Sequence, residues 1–200
     1  SLAMSGTMNA VNAALALAML DQVGIHGSEV VKAICGATVP GRAELVGTRD
    51  GVSVFVDYAH SPESIQEFLA GLKSQSRGRI ITVVGAGGDR DASKRVEMGQ
   101  VGANGSDVLI VTDDNPRSED PSVIRQQLLA GAVEVSDCEV LEMGDRRMAI
   151  AKALESAHGH DVVAILGKGH ERGQEIHGHV IEFSDIDVVT EMLQGGNLND

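Results

Sequence analysis

Ile80-Ile81-Thr82-Val83-Val84-Gly85-Ala86-Gly87-Gly88-Asp89-Arg90-Asp91 decides the fold class of this 200-residue chain. Five strand-forming residues in a row, with no regular polar alternation, describe a strand buried on both faces, as in a parallel sheet. A glycine-rich turn follows, and Lys94–Asn104 then has helical spacing. The same sequence of events repeats on both sides. Val52–Val56 is a strand, and Ser61-Pro62 opens a helix to about Leu72, with proline at the first helical position. Val108–Val111, Glu139–Leu141 and Val162–Leu166 are strands. Pro121–Val133, Arg146–Ala157 and Asp185–Leu193 are helices, and Gln174–Phe183 is a short hairpin. Strands alternating with helices predict an α/β fold: a doubly wound, mostly parallel Rossmann-like sheet with helices on both faces. Two helices precede it. Met8, Val11, Leu15, Ala18 and Met19 give Met8–Leu20 an amphipathic spacing, and Glu29–Cys35 follows with Ser28 as its expected N-cap. Val39-Pro40-Gly41 breaks the chain, so a boundary is expected there, with 1–38 and 39–200 as the two parts.

Sixteen Lys and Arg against 29 Asp and Glu give a net charge of −13, which argues against a nucleic-acid binder. One Tyr, three Phe and no Trp leave little platform for stacking bases. Hydrophobic residues at 42% suffice for a packed core. Cys35 and Cys138 form neither a disulfide framework nor a zinc pattern, which suits a reducing cytoplasm. The longest apolar run, Ala13 to Leu20, is too short to span a bilayer, and no Lys or Arg precedes it as in a signal peptide. Ser1-Leu2 has the look of an expression scar.

Ligands of such sheets bind beyond the carboxyl ends of the strands. Four of those ends carry dense polar segments: Asp57-Tyr58-Ala59-His60-Ser61-Pro62, Gly85 to Asp91, Asp113-Asp114-Asn115-Pro116-Arg117, and Gly167-Lys168-Gly169-His170-Glu171. Each alone passes for a turn; four at one edge favour a site. The glycine run suggests a dinucleotide fold, but Arg90 stands where the third glycine of that fingerprint belongs, so a nicotinamide-dependent oxidoreductase is the weaker alternative. Arg90 and Arg117 offer planar forks for carboxylates, and Asp114 and Glu171 offer partners for ammonium groups. Together they suit a zwitterion, while surface ion pairs explain them equally well on chemistry alone. His158, His160, His177 and His179 form two H-x-H pairs without cysteines and read as loop histidines, so no metal site is expected.

These segments, with Val39-Pro40-Gly41-Arg42-Ala43-Glu44 ahead of them, occur in the same order in the Mur ligases, which the chain resembles from Thr7 to about Leu193. The D-N-P-R run of 114–117 is similar to that of the family's diaminopimelate-adding branch. Ala43 replaces a frequent methionine and Ala86 a frequent cysteine. Members of the family have an N-terminal UDP-binding domain, a central ATPase domain and a C-terminal domain. The resemblance implies that 1–38 holds the last helices of the central domain and 39–200 the C-terminal domain. The phosphate loop G-x-x-x-x-G-K-[ST] is absent, so the chain by itself is expected to be inactive.

The resemblance also implies roles. Arg90, Asp114, Asn115, Pro116, Arg117, Gly167 and Glu171 match the residues that hold diaminopimelate. Asn9 and Asn12 match the asparagines beside adenine, Arg42 the arginine that meets ATP phosphates, and Asp57 the ribose-side aspartate, with Tyr58 and His60 beside the nucleotide. ATP and Mg2+ would serve the full-length enzyme, with meso-diaminopimelate and UDP-MurNAc-dipeptide as its other small-molecule partners. Arg117 is expected to pair with the second carboxylate of diaminopimelate and to be left as a bare cation when lysine binds. A module that binds diaminopimelate peptides without ligating them is the other alternative.

Overall fold

The computed structural model describes residues 7–195, which leaves Ser1-Leu2 outside the described residues. Two helices come first, α1 (Thr7–Gln22) and α2 (Ser28–Gly36). There follow β1 (Glu44–Arg49), β2 (Val52–Asp57), α3 (Pro62–Lys73), β3 (Ile80–Val84), a 3-10 turn (Ala92–Lys94), α4 (Arg95–Asn104), β4 (Val108–Val111) and α5 (Pro121–Ala132). The chain continues with β5 (Glu139–Glu142), α6 (Arg146–Ser156), β6 (Val162–Leu166), the hairpin β7 (Gly173–Ile176) and β8 (His179–Glu182), and α7 (Asp185–Gln194).

The six-stranded sheet has the order β1-β2-β6-β3-β4-β5. All its pairs are parallel except β1 with β2. The steps β2 to β3 to β4 to β5 run one way across the sheet, and β5 to β6 runs back. Right-handed crossovers then put α3, α4 and α5 on one face and α6 on the other. The two cores show this division. Ile65, Leu69, Met98, Ile124 and Leu128 cover one face; Ala149, Ile150, Ala153, Val189 and Met192 cover the other. The strands β3, β4 and β6 are buried at every residue, which is why none shows a polar alternation, and the one polar side chain among them, Thr82, accepts from the Ser106 hydroxyl. Burying each such Ile, Leu or Val contributes about 1.5–3 kcal/mol.

Local chemistry sets the helix starts. The Ser61 hydroxyl accepts from the Ser64 amide, and the Ser64 hydroxyl accepts from Ser61 N–H, a reciprocal cap. Asp120, Asp145 and Ser184 cap α5, α6 and α7 one way, their side chains accepting from the amides of Ser122, Met148 and Asp187. Ser28 differs from expectation: it lies inside α2, whose cap position is Gly27 with no side-chain hydrogen bond. The strand β1 was not expected. It is an edge strand with a bulge at Leu45/Gly47, and a Cβ at Gly47 would stand 2.7 Å from Leu193 Cδ1 on α7. The stripe expected on α1 is exposed, with Val11, Leu15 and Met19 at 44%, 57% and 72%. Met8 belongs to that stripe, but its side chain lies outside the described residues.

Candidate functional site

Parallel strands deliver their next residues to one edge, and three loops meet there. The glycines after β3 are needed for this convergence. A Cβ at Gly88 would lie 1.9 Å from the Pro116 carbonyl oxygen, and one at Gly85 2.7 Å from that of Thr112. Gly87 is flanked by Arg117 Nη1 and Arg90 Cγ, at 2.9 and 3.7 Å from the Cβ it lacks. The glycines thus let the 85–91 loop press against the 112–117 turn. A pyrophosphate is not needed to explain them. Arg95, 1% exposed, fastens the same two segments. Its guanidinium donates to both Glu119 oxygens at 2.8 Å and to the Gly87 carbonyl at 3.0 Å. Those hydrogen bonds hold the Glu119 carboxyl down to about 2.

Beneath the turn lies a buried polar cluster. Asn115 donates to Glu171 Oε2 at 2.9 Å, and its own oxygen accepts from the Glu175 amide at 2.9 Å. Lys168 is fully buried and donates to Asn115 Oδ1 and Glu171 Oε2, both at 3.2 Å. Arg146 is equally buried and grips both oxygens of Asp185 at 2.8 and 2.7 Å. Asp114 Oδ2 is buried without a hydrogen-bond partner. Its nearest cation is Arg146 at 4.0 Å, and a Cβ at Gly167 would come within 2.9 Å of it. A buried carboxylate oxygen with no donor costs about 1–3 kcal/mol or more, so its retention points to a ligand that donates to it.

Arg117 is placed differently from expectation. It adopts a left-handed backbone, φ 52°, a strained conformation for a long side chain. The hairpin holds it there: its N–H donates to the Glu175 carbonyl at 2.9 Å, and its carbonyl accepts from His177 N–H at 2.7 Å. Its Nη1 donates to the Gly88 carbonyl at 2.7 Å, and its Nε lies 3.2 Å from Glu175 Oε2. Arg117 therefore has a resident carboxylate and is not a bare cation. Arg90 is exposed beside it.

The second group of expected residues forms a separate cluster. The Arg42 guanidinium stacks 4.4 Å over the Tyr58 ring. His60 packs edge-on to that ring at 4.6 Å, and His170 lies 5.7 Å from it. Asp57 accepts from the Ala43 amide at 2.6 Å and the Ala59 amide at 2.7 Å. Burial pushes its carboxyl pKa up, against the pull of those two hydrogen bonds. Asp57 thus fastens the 41–43 turn beneath Tyr58, and a ribose hydroxyl would share oxygens already engaged. Gly41 and Gly169 touch backbone to backbone: a Cβ on Gly41 would lie 2.3 Å from the Gly169 carbonyl carbon. Asn9 and Asn12 stand on α1, the first half-buried and the second exposed.

Among the described residues no three His, Cys, Asp or Glu side chains are placed to hold a metal ion. His158 instead sits 3.0 Å from Arg79, which is paired with Asp161. A cavity of about 610 Å³ lies between the hairpin and the starts of α6 and α7, lined among others by Arg146, Gln174, Phe183 and Glu191. The charged residues that sequence reasoning missed are Lys168, Glu175, Arg95 and Arg146. Lys168 stands inside a quoted motif, but a lysine carries no sequence sign of complete burial.

Comparison with known proteins gives concordant results. The family description "Mur ligase, glutamate ligase domain" matches residues 41–169. A UDP-N-acetylmuramoyl-L-alanyl-D-glutamate–2,6-diaminopimelate ligase of Corynebacterium glutamicum is 42% identical over 197 residues, covering 96% of this chain. The chain spans 38% of that relative's length. A solved structure of a ligase with the same name superposes with a TM-score of 0.76 at 35% identity, covering 98% of this chain and 40% of that one. A folylpolyglutamate synthase of Mycobacterium tuberculosis, solved with ADP and AMPPCP, gives 0.66 at 26% identity, covering 83% and 38%.

Proposed function

The chain belongs to the Mur ligase family, and on that premise we propose that it is the C-terminal, amino-acid-binding part of an ATP-dependent ligase. The complete enzyme would join meso-diaminopimelate to UDP-MurNAc-L-Ala-D-Glu in the cytoplasm, a step of peptidoglycan synthesis. The observation that carries this reading is the donor-less, buried Asp114 oxygen beside Asn115 and Glu171. An ammonium group supplies the missing donor, and the neighbouring arginines supply partners for carboxylates.

In this reading Asp114, Glu171 and Asn115 bind one amino-acid head, with Gly167 giving the room that a side chain would take. Arg90 and Arg117 receive carboxylate groups, and Pro116 stiffens the turn that presents them. ATP, bound mostly by the remainder of the enzyme, would supply the energy to activate the D-glutamate carboxylate. Arg42, exposed and stacked on Tyr58, fits a phosphate contact, with Asp57 and His60 behind it and Asn9 and Asn12 on the adenine side. The described residues offer no cage for Mg2+, so the ion would be held by the nucleotide and by other parts of the enzyme.

Residues 1–38 are assigned to the end of the central domain and 39–200 to the ligase domain, with the hinge at Pro40-Gly41. The family match starting at residue 41 and the absence of buried side chains from α2 support that division. Closing at the hinge would bring the bound amine to the activated carboxylate, which is catalysis by positioning. The test is amide formation by the complete enzyme with ATP and UDP-MurNAc-dipeptide, offered meso-diaminopimelate or L-lysine. Diaminopimelate is expected to win by about 100-fold or more in kcat/KM, as for a site built around a polar partner. Equal use of the two amines would overturn the substrate, and no product with either would overturn the ligase.

A further inference from the structure

Lys168 is the fully buried ammonium of this domain, and stability does not explain it. Taking a lysine head out of water costs several kcal/mol, and a well-packed apolar residue of similar volume serves a core at least as well. What distinguishes the position is what it touches. Both its contacts are side chains proposed above to meet the amine substrate: Asn115 Oδ1 and Glu171 Oε2, each at 3.2 Å.

The geometry fixes each partner in one state. Asn115 Oδ1 accepts from Lys168 Nζ and the Glu175 amide, so its Nδ2 is the end that must donate, and it does so to Glu171. The asparagine amide cannot turn over without losing three hydrogen bonds. Glu171 receives both donors on Oε2, so that oxygen is anchored while the side chain stays 35% exposed. Its acceptor capacity is thereby left to the other oxygen, toward the accessible side. The local charge has the same sense. Asp114, Glu171 and Asp185 stand against two buried cations, Arg146 and Lys168, leaving room for one more positive group. Without Lys168 the excess would be two negative charges, and Glu171 would be free to swing to water.

We propose that Lys168 is a positioning residue for amine recognition: it locks Asn115 and Glu171 into the arrangement that receives the substrate's ammonium group. The proposal rests on the amine-site reading above and adds to it a residue that does not itself touch substrate. Lys168 acts through Glu171.

A double-mutant cycle in the complete enzyme tests this, with Lys168→Met, Glu171→Gln and the pair, reading KM for diaminopimelate, KM for ATP and kcat. Lys168→Met is expected to raise the diaminopimelate KM by about 10- to 100-fold, the range of a hydrogen bond to a charged group. The ATP KM should stay within about twofold, and the double variant should be no worse than Glu171→Gln alone, because the lysine's effect is already gone. Additive losses, an unchanged diaminopimelate KM, or equal rises in both KM values would overturn the role. If Lys168→Met does not fold, Lys168→Gln, which keeps N–H donors without the charge, is scored by the same outcomes. If wild-type enzyme ignores diaminopimelate and the variants show the same split toward another amine, the substrate assignment is refuted and the role of Lys168 stands.

Discussion

Replacing Asp185 with alanine should cost far more stability than any surface ion pair in the domain. Arg146 and Asp185 are both completely buried, joined by two hydrogen bonds of 2.8 and 2.7 Å. The same guanidinium donates to the Leu166 carbonyl at 2.9 Å, at the end of β6. Asp185→Ala leaves the arginine charged in a dry interior, and breaking a buried pair from one side costs about 3–5 kcal/mol. At about 2–4 °C per kcal/mol for a domain of this size, Tm should fall by roughly 6–20 °C. The chain has no tryptophan and one tyrosine, so urea unfolding followed by far-ultraviolet circular dichroism is the suitable assay. Arg146→Met with Asp185→Leu should recover part of the loss, since the paired charges leave together, while Asp114 loses its cation at 4.0 Å and the Leu166 carbonyl its donor. A single variant within about 1 kcal/mol of wild type would refute the reasoning, because surface pairs are worth that little. So would a double variant as unstable as the single one.

Three further outcomes are expected. Gly88→Ala drives a methyl into the Pro116 carbonyl, 1.9 Å away, and must displace the 115–117 turn; with about 10²-fold lost per ångström of misplacement, kcat/KM for diaminopimelate should drop while the ATP KM holds. Arg117→Ala should raise the diaminopimelate KM by about 10- to 100-fold and leave use of lysine little changed; unchanged diaminopimelate kinetics would remove Arg117 from the site. Glu119 is depressed from 4.5 to about 2 by the Arg95 hydrogen bonds. A lowered carboxyl stabilises the fold above its unfolded value and loses that contribution as pH falls through the folded one. The stability gap between wild type and Glu119→Gln, measured by urea titration at stepped pH, should therefore be full at pH 7 and shrink between pH 4.5 and about 2; a gap that stays constant would count against the assignment.

The parallel strands were legible because burial on both faces leaves an unmistakable mark, as in Ile80–Val84 and Val162–Leu166. The polar segments at their ends were legible for the same reason, since parallel topology sends them all to one edge. β1 was not, because an edge strand with a bulge and one covered face carries only a broken alternation, Glu44-Leu45-Val46-Gly47-Thr48-Arg49. Ser28 misled because a good capping residue beside a permissive glycine does not say which of the two takes the cap. At the site, residue types announced which charges were available but not how they pair. Arg117 was expected to be left bare when lysine takes the place of diaminopimelate, and the fold supplies Glu175 from a hairpin 58 positions further on. That resident partner softens the expected penalty for binding lysine, since the arginine is never wholly unpaired. Lys168, Arg95 and Arg146 drew no reading from the sequence, because a long cation carries no local sign of burial, and only tertiary structure brings them their carboxylates.

The segment Gly167-Lys168-Gly169-His170-Glu171 serves two neighbourhoods at once. Gly167 and Gly169 both take positive φ, 113° and 53°. Gly167, Lys168 and Glu171 face the cluster around Asp114 and Asn115, while Gly169 and His170 rest on Gly41 and Tyr58. In evolutionary terms the five positions are pleiotropic. On the roles proposed above, selection for a different amine and selection for nucleotide affinity would act on one short stretch of backbone, so neither trait could drift without being tested against the other. A change of substrate is therefore expected to arise first in the 114–117 turn or the hairpin that holds it, where variation leaves the nucleotide side untouched.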